Sequence, residues 1–260
     1  GYSFSLSDSI NSDYHYSKTY SGEGGFTQVY GGLSFNVCDW VAFGANVYYM
    51  FGELSKSRSL SFTDASMKTV SQSDRLKINS LRLRYGLQLF HTFGKHTVVL
   101  GGVFENKQRF SHSDYIQVET STSDTVEVME NAFELPMMYG AGLSYNYAGR
   151  LTLALDYQCQ DWANVLYFNK NDALATRHRW AFGAEYRHDP MGRRFLDRMS
   201  WRVGASYATS YTTQFEQPHL VVTMGFGFPL RTIGTVVNTT FEYGRRGFAA
   251  GHMNENYLRF

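Results

Sequence analysis

The chain has 260 residues, with 24 Lys and Arg against 23 Asp and Glu for a formal net charge of +1. So even a balance argues against a polyanion-binding surface, and nucleic acid is not an expected partner. Aromatic residues make up 17% of the chain beside 24 Gly, yet mean hydropathy is -0.34, and no apolar run approaches the roughly 20 residues of a spanning helix. Such a composition suits a transmembrane β-barrel, whose lipid-facing residues alternate with lumen-facing ones and average out in any window.

Taken in chain order, period-two alternation recurs near 1–9, 24–37, 41–54, 76–92, 97–110, 133–147, 151–162, 177–188, 199–211, 218–229, 234–246 and 254–260. Most of these stretches match the ~9–11 residues of a tilted spanning strand. The connections at 38–40, 93–96, 148–150, 189–198 and 230–233 are mostly short. Those at 10–23, 55–75, 111–132, 163–176, 212–217 and 247–253 tend to be longer and polar. Strict alternation of the two kinds predicts short periplasmic turns and longer extracellular loops, a sorting that a soluble sandwich has no reason to show. The expected fold is all-β, an antiparallel transmembrane β-barrel of about 12 strands forming one domain over residues 1–260. The chain opens on Gly1 within a strand pattern, with no Met and no apolar leader, so a signal peptide is expected to have preceded it.

Side-chain parity assigns the faces. In SLRLRYGLQLFHTF, Leu81, Leu83, Tyr85, Leu87 and Leu89 share one face, and Arg82, Arg84, Gly86 and Gln88 share the other. An arginine facing lipid would cost about 2–4 kcal/mol near the midplane, so the leucines point outward and the arginines into the lumen. The same test turns Val41, Phe43, Ala45, Val47, Tyr49 and Phe51 outward, then Leu151, Leu153, Leu155 and Tyr157, then Trp180, Phe182, Ala184 and Tyr186. Trp40, Trp162, Trp180 and Trp201 all fall at predicted strand ends, as an interfacial aromatic girdle requires.

The inward face then carries a charged ladder of Arg82, Arg84, Glu105, Asp156, Arg179, Glu185, Arg187, Arg202 and Glu242. A charged constriction could select an anionic head group. Alternatively, opposite charges pair across a filled lumen and hold it shut, which the near balance of signs favours. Catalysis is not expected: the eight histidines form no HExxH arrangement and no GxSxG elbow occurs. Asp13 with His15, and Asp114 with His112, are neighbours of the kind that polar loops produce by chance. Cys38 and Cys159 lie at opposite ends of the predicted barrel, too far apart for a disulfide, and no Cys/His spacing suggests a metal. No cofactor is expected. The polar loops at 55–75 and 111–132 continue the alternation, so their hairpins are expected to extend beyond the membrane, as solvated loops or as a docking surface.

Two stretches, GEGGFTQVYGGLSFNVCDWVAFGANVYYMFG at 22–52 and GFGFPLRTIGTVVNTTFEYGRRGFAAGHMNENYLRF at 225–260, resemble the outer-membrane transport family typified by the long-chain fatty-acid channel, in its divergent branch. The resemblance rests on glycine and aromatic spacing. It implies 14 strands in the complete protein, an N-terminal plug, and passage of hydrophobic molecules toward a lateral opening. This chain departs from that pattern, with about 12 strands and no plug segment ahead of them, as if the plug and the first strands were missing. No plug or ligand residue carries over.

Two functional expectations follow. One is a passive outer-membrane channel for hydrophobic or amphipathic molecules such as fatty acids. The other is a structural barrel subunit of a larger outer-membrane assembly or export complex. Both place the chain in the outer membrane of a Gram-negative bacterium, in contact with its lipid.

Overall fold

The computed structural model describes residues 2–11, 14–62, 69–109, 113–120, 123–130, 134–166, 174–189, 192, 194–213, 217–230, 235–247 and 254–260. Their strands are β1 (Tyr2–Asn11), β2 (Tyr14–Cys38), β3 (Val41–Phe62), β4 (Val70–Phe93), β5 (His96–Glu105), β6 (Gln108–Arg109), β7 (Ser113–Thr120) and β8 (Ser123–Glu130). There follow β9 (Glu134–Leu135), β10 (Met138–Tyr147), β11 (Leu151–Gln160), β12 (Arg177–Arg187), β13 (Ser200–Ala208), β14 (His219–Pro229), β15 (Val236–Arg246) and β16 (Glu255–Arg259). Twelve of them pair in the order β1-β2-β3-β4-β5-β10-β11-β12-β13-β14-β15-β16; β7 and β8 extend from β4 to complete a fourteen-stranded sheet, and β6 pairs with β9. The fold is an antiparallel transmembrane β-barrel. Every neighbour pairing along the path is antiparallel, as short reversals dictate. The turn after β4 shows why: Gly94, at φ 62°, supplies the left-handed conformation that a two-residue hairpin needs.

Register fixes the two faces. Ala45 opposes Tyr85, Val47 opposes Leu83 and Tyr49 opposes Leu81, while Asn46 opposes Arg84 and Tyr48 opposes Arg82. Leu81, Leu87 and Leu155 stand on the outer surface, more than two-fifths exposed, where hydrocarbon rather than water meets them. The usual soluble-protein core is therefore absent among the described residues. The buried apolar side chains are Leu76, Ile78, Met138, Cys159, Val165, Met199 and Ala208, with Leu76 and Ile78 packed by Met50, Leu54 and Leu135.

Three strands run far past the wall. β2, β3 and β4 have 25, 22 and 24 residues, about twice what a membrane crossing requires. Their outer halves join β1, β7 and β8 in a six-stranded extension, with β1 pairing at Tyr2–Gly22 through Asn11–Tyr14 and β7 pairing at Val70–Thr120 through Arg75–Tyr115. Ser17 opposes Ser61, Ser21 opposes Ser57 and Thr19 opposes Ser59; in turn Ser59 opposes Ser71 and Ser57 opposes Ser73. Ser21 Oγ and Ser57 Oγ lie 2.5 Å apart. Segments 55–62 and 70–75 are strand, so this hairpin extends beyond the membrane as its continued alternation implies; a sheet there satisfies its backbone through the ladder regardless of side-chain polarity.

The wall has two free edges. β1 begins its pairing at Gly22 of β2, and β16 covers only Glu242–Arg246 of β15. Below those levels neither β2 nor β15 has a second strand partner among the described residues, and Leu33 on β2 is 85% exposed.

Replacing Leu87 by Arg is expected to destabilise the inserted barrel by about 2–4 kcal/mol, whereas Gln88→Leu on the lumen face is expected to be tolerated. The folded, heat-modifiable band on electrophoresis after refolding into lipid vesicles reads both, and equal sensitivity of the two positions would reverse the face assignment.

Candidate functional site

The lumen is where the chemistry collects, and its outer mouth is built around two carboxylates. Glu105 ends β5 almost fully buried. Arg84, its register partner on β4, donates from Nε to Oε1, and Arg82 Nη2 lies 2.7 Å from Oε2. The Arg82 guanidinium also donates to the Pro136 carbonyl at 2.9 Å, and the Arg84 guanidinium lies over the Tyr48 ring at 4.9 Å. Glu134 is fully buried. Arg109 Nε donates to its Oε1 at 2.6 Å, Lys107 Nζ approaches Oε2 at 2.7 Å, and the Leu166 backbone N–H donates to Oε2 at 3.0 Å. A buried carboxylate without such partners would be costly; here each has two cations. Burial would raise the Glu134 carboxyl pKa, but the bonds from Lys107, the Leu166 N–H and Arg109 outweigh it and hold the carboxyl below its usual range.

The backbone places this cap. Pro136 has no N–H to give a ladder, so the alternation read as one strand over 133–147 breaks into β9 and β10. The intervening segment folds across the inner face of β4, where Leu135 meets Leu76 and Ile78. Met137 O accepts from the Asp161 N–H at 3.0 Å, Leu166 O accepts from the Glu134 N–H at 3.0 Å, and Lys107 Nζ donates to Asn164 O at 2.6 Å. Residues 106–109, 134–137 and 161–166 thus lock together over the mouth.

Deeper in the wall, Glu185 lies between Arg187 at 2.9 Å and Arg202 at 2.8 Å. Arg187 also donates to Ser200 Oγ at 3.0 Å, and Arg202 to Asn238 Oδ1 at 2.6 Å. Glu242 approaches Arg259 at 3.8 Å, and the Arg259 guanidinium lies over the Tyr257 ring at 4.8 Å. That ring covers Gly244 so closely that any side chain there would collide with it. Asp156 and Arg179 have no ion-pair partner among the described residues; both line a cavity of about 780 Å³ shared with Asn46, Gln88, Gly86 and Gly142. The nine ladder residues therefore divide: Arg82, Arg84 and Glu105 meet, Glu185, Arg187 and Arg202 meet, and Glu242, Asp156 and Arg179 stand apart from both groups.

Trp40 and Trp201 sit at the turn end of the wall, and Trp180 near the loop end, each about half exposed. Trp162 stands in a single 3-10 turn, where its indole N–H donates to Gln160 Oε1 at 3.1 Å. Cys38 closes β2 and Cys159 is buried on β11, both as free thiols. Asp13, His112 and His252 lie outside the described residues, so the two Asp/His neighbours noted above do too. No group of three metal-ligating side chains occurs among the described residues.

Lys107, Arg109 and Glu134 were not among the ladder residues read from the sequence, although they fall within the stretches 97–110 and 133–147 and share the parity of Glu105 and Gly142. Pro136, within an otherwise strand-like run, is the signal that marks the break.

Comparison with known proteins gives two results. A family model, BamG, matches residues 1–260. Among solved structures, the CymD monoaromatic hydrocarbon channel is similar with a TM-score of 0.58 at 14% identity, covering 94% of this chain and 77% of that one. A Pseudomonas aeruginosa FadL homologue gives 0.57 at 12% identity, covering 94% and 69%, and the P. putida toluene transporter TodX gives 0.54 at 12%, covering 94% and 75%. At such identities the likeness is one of fold. No curated protein matches.

Two outcomes are expected for the cap. Glu134→Gln, which leaves Lys107 and Arg109 facing a neutral group but still partly in water, is expected to cost about 1–3 kcal/mol through lost charge-assisted bonds, measured as a lower urea midpoint in vesicles. The Glu134 carboxyl is depressed in the folded state, so its contribution is complete above the ordinary carboxylate value and is lost as pH falls through the lower folded value. Trp162 fluorescence, read in a variant whose other tryptophans are Phe, is expected to stay constant from roughly pH 5 to 8 and to change only in more acid solution.

Proposed function

We propose that this chain, which belongs to the BamG family, is a non-catalytic barrel subunit of a larger assembly in the outer membrane of a Gram-negative bacterium. The observation that carries this reading is the mouth of the lumen. A through-channel for hydrophobic molecules needs an apolar path, and here the outer entrance is occupied by the doubly clasped carboxylates Glu105 and Glu134. Below them the cavity is lined by glycines and by Asn46, Gln88, Asp156 and Arg179, together with Phe43, Leu87, Val103 and Tyr157. With the lumen capped, the surfaces left to act are the lipid-facing wall and the six-stranded extension of β1, β2, β3, β4, β7 and β8. That extension stands well clear of the membrane, within reach of a partner. Membership of BamG fits a complex subunit.

A second reading has its own support. The fold is shared with proteins titled as hydrocarbon channel and toluene transporter, and the lumen holds a cavity of about 780 Å³ partly lined by Phe43, Leu87, Val103 and Tyr157.

Extraction of the tagged native protein in mild detergent, with mass spectrometry of co-purifying proteins and lipids, separates the two. Stoichiometric protein partners without a bound amphiphile are the expected outcome. A lone barrel carrying fatty acid or another amphiphile would replace the subunit reading with the channel.

A further inference from the structure

One layer of the lumen departs from the pairing rule. Arg179 on β12 is in register with Ala208 on β13, Ala208 with His219 on β14, and His219 with Arg246 on β15, so these side chains share one level of the inner face. Arg177 stands two residues outward on the same face of β12. The groups lie in one another's fields: Arg177 feels Arg179 and Arg246, and His219 feels Arg246, Arg177 and Arg179 together with the carboxylate of Glu242. Elsewhere in the lumen each arginine of the clasps holds a carboxylate. Here no carboxylate lies within ion-pair distance of Arg177, Arg179 or Arg246 among the described residues. Glu255 faces Arg246 across the β15–β16 register without closing on it, Glu242 lies near His219 and 3.8 Å from Arg259, and Asp156 lies one layer deeper. Arg177 Nε is buried with no hydrogen-bond partner. His219 is held in place by its contact with Tyr257 Oη at 2.8 Å. Arg179 borders the 780 Å³ cavity, which is of the size that admits a small ligand.

Three guanidinium groups on rigid strands repel one another and offer planar forks of donors to a shared oxyanion. We propose that Arg177, Arg179, His219 and Arg246 form a binding site for a doubly charged oxyanion of the phosphate monoester class. A single carboxylate would leave two of the three cations uncompensated, whereas a phosphate monoester brings both the charge and the acceptor oxygens. The group could arrive free in solution or as the head of a lipid, and the site is independent of whether the barrel transports anything.

Isothermal titration of the full chain in neutral detergent, at constant ionic strength, tests this with two probes: inorganic phosphate and dihexanoyl phosphatidic acid. Saturable binding of at least one probe is expected, weakened at least about tenfold in Arg179→Gln and in Arg246→Gln, as loss of a charge-assisted bond implies. Comparable binding of the two probes would mark a site for soluble phosphate groups, and binding of the lipid ester alone would mark a headgroup site. Absence of saturable binding of both probes to the unaltered chain would overturn the proposal, whatever the variants do. So would unchanged affinity in variants that keep the heat-modifiable mobility of the folded barrel.

Discussion

The structure depends on one constraint: in hydrocarbon every backbone polar group must be paired and no charge can face outward. A sheet meets the first demand through its ladders and the second by parity, so charges on the spanning strands collect on the inner surface, while Arg245, at the outer end of β15, has the opposite parity to Arg246. Arg84, Glu185 and Arg202 share a lumen for this reason, not because their sequence neighbours attract them. Crowded together, these charges then have to be compensated. The pattern of two cations per carboxylate, seen at Glu105, Glu134 and Glu185, is a direct consequence.

The cap is the same logic carried beyond the membrane. Once Pro136 ends the ladder, the freed segment must find partners for its backbone, and it finds them in Asp161, Leu166 and the inner face of β4. Glu134 binds that segment to 106–109 through Lys107 and Arg109. A lumen closed in this way moves functional interest to the outside of the barrel. There the long β2, β3 and β4 strands present serines in register across neighbouring strands, on a surface that needs neither lipid nor an apolar core to be stable. The arginines near His219 are an exception inside, a level where, among the described residues, no carboxylate lies within ion-pair distance of Arg177, Arg179 or Arg246.

Much of the architecture was legible because parity has so few solutions. Placing Leu81, Leu83 and Leu87 in lipid fixes Arg82 and Arg84 in the lumen, and counting alternating stretches returns the twelve strands of the main path. What parity does not encode is which inward charges meet, since that depends on register between strands: Arg84 meets Glu105 only because β4 and β5 pair with a two-residue turn at Gly94. Glu134 lay within the alternating stretch 133–147, but the break at Pro136 that turns its segment across the mouth was not read from the pattern. In the serine-rich stretches near 55–75 polarity alone does not separate a loop from a strand standing in water, and it is the continued alternation that points to a hairpin extending beyond the membrane. The glycine and aromatic spacing that resembles the fatty-acid channel family reports the needs of a barrel wall. It is accordingly matched at the level of fold, while the family is BamG.

The account turns on whether the clasped cap closes the lumen. The most direct test is conductance of the full chain reconstituted in planar lipid bilayers at neutral pH. Closure by Glu105, Glu134 and their cations predicts a membrane without stepwise ion current. Stable current steps of uniform size from the unaltered protein would contradict it, and would mean that the lumen is an open pore.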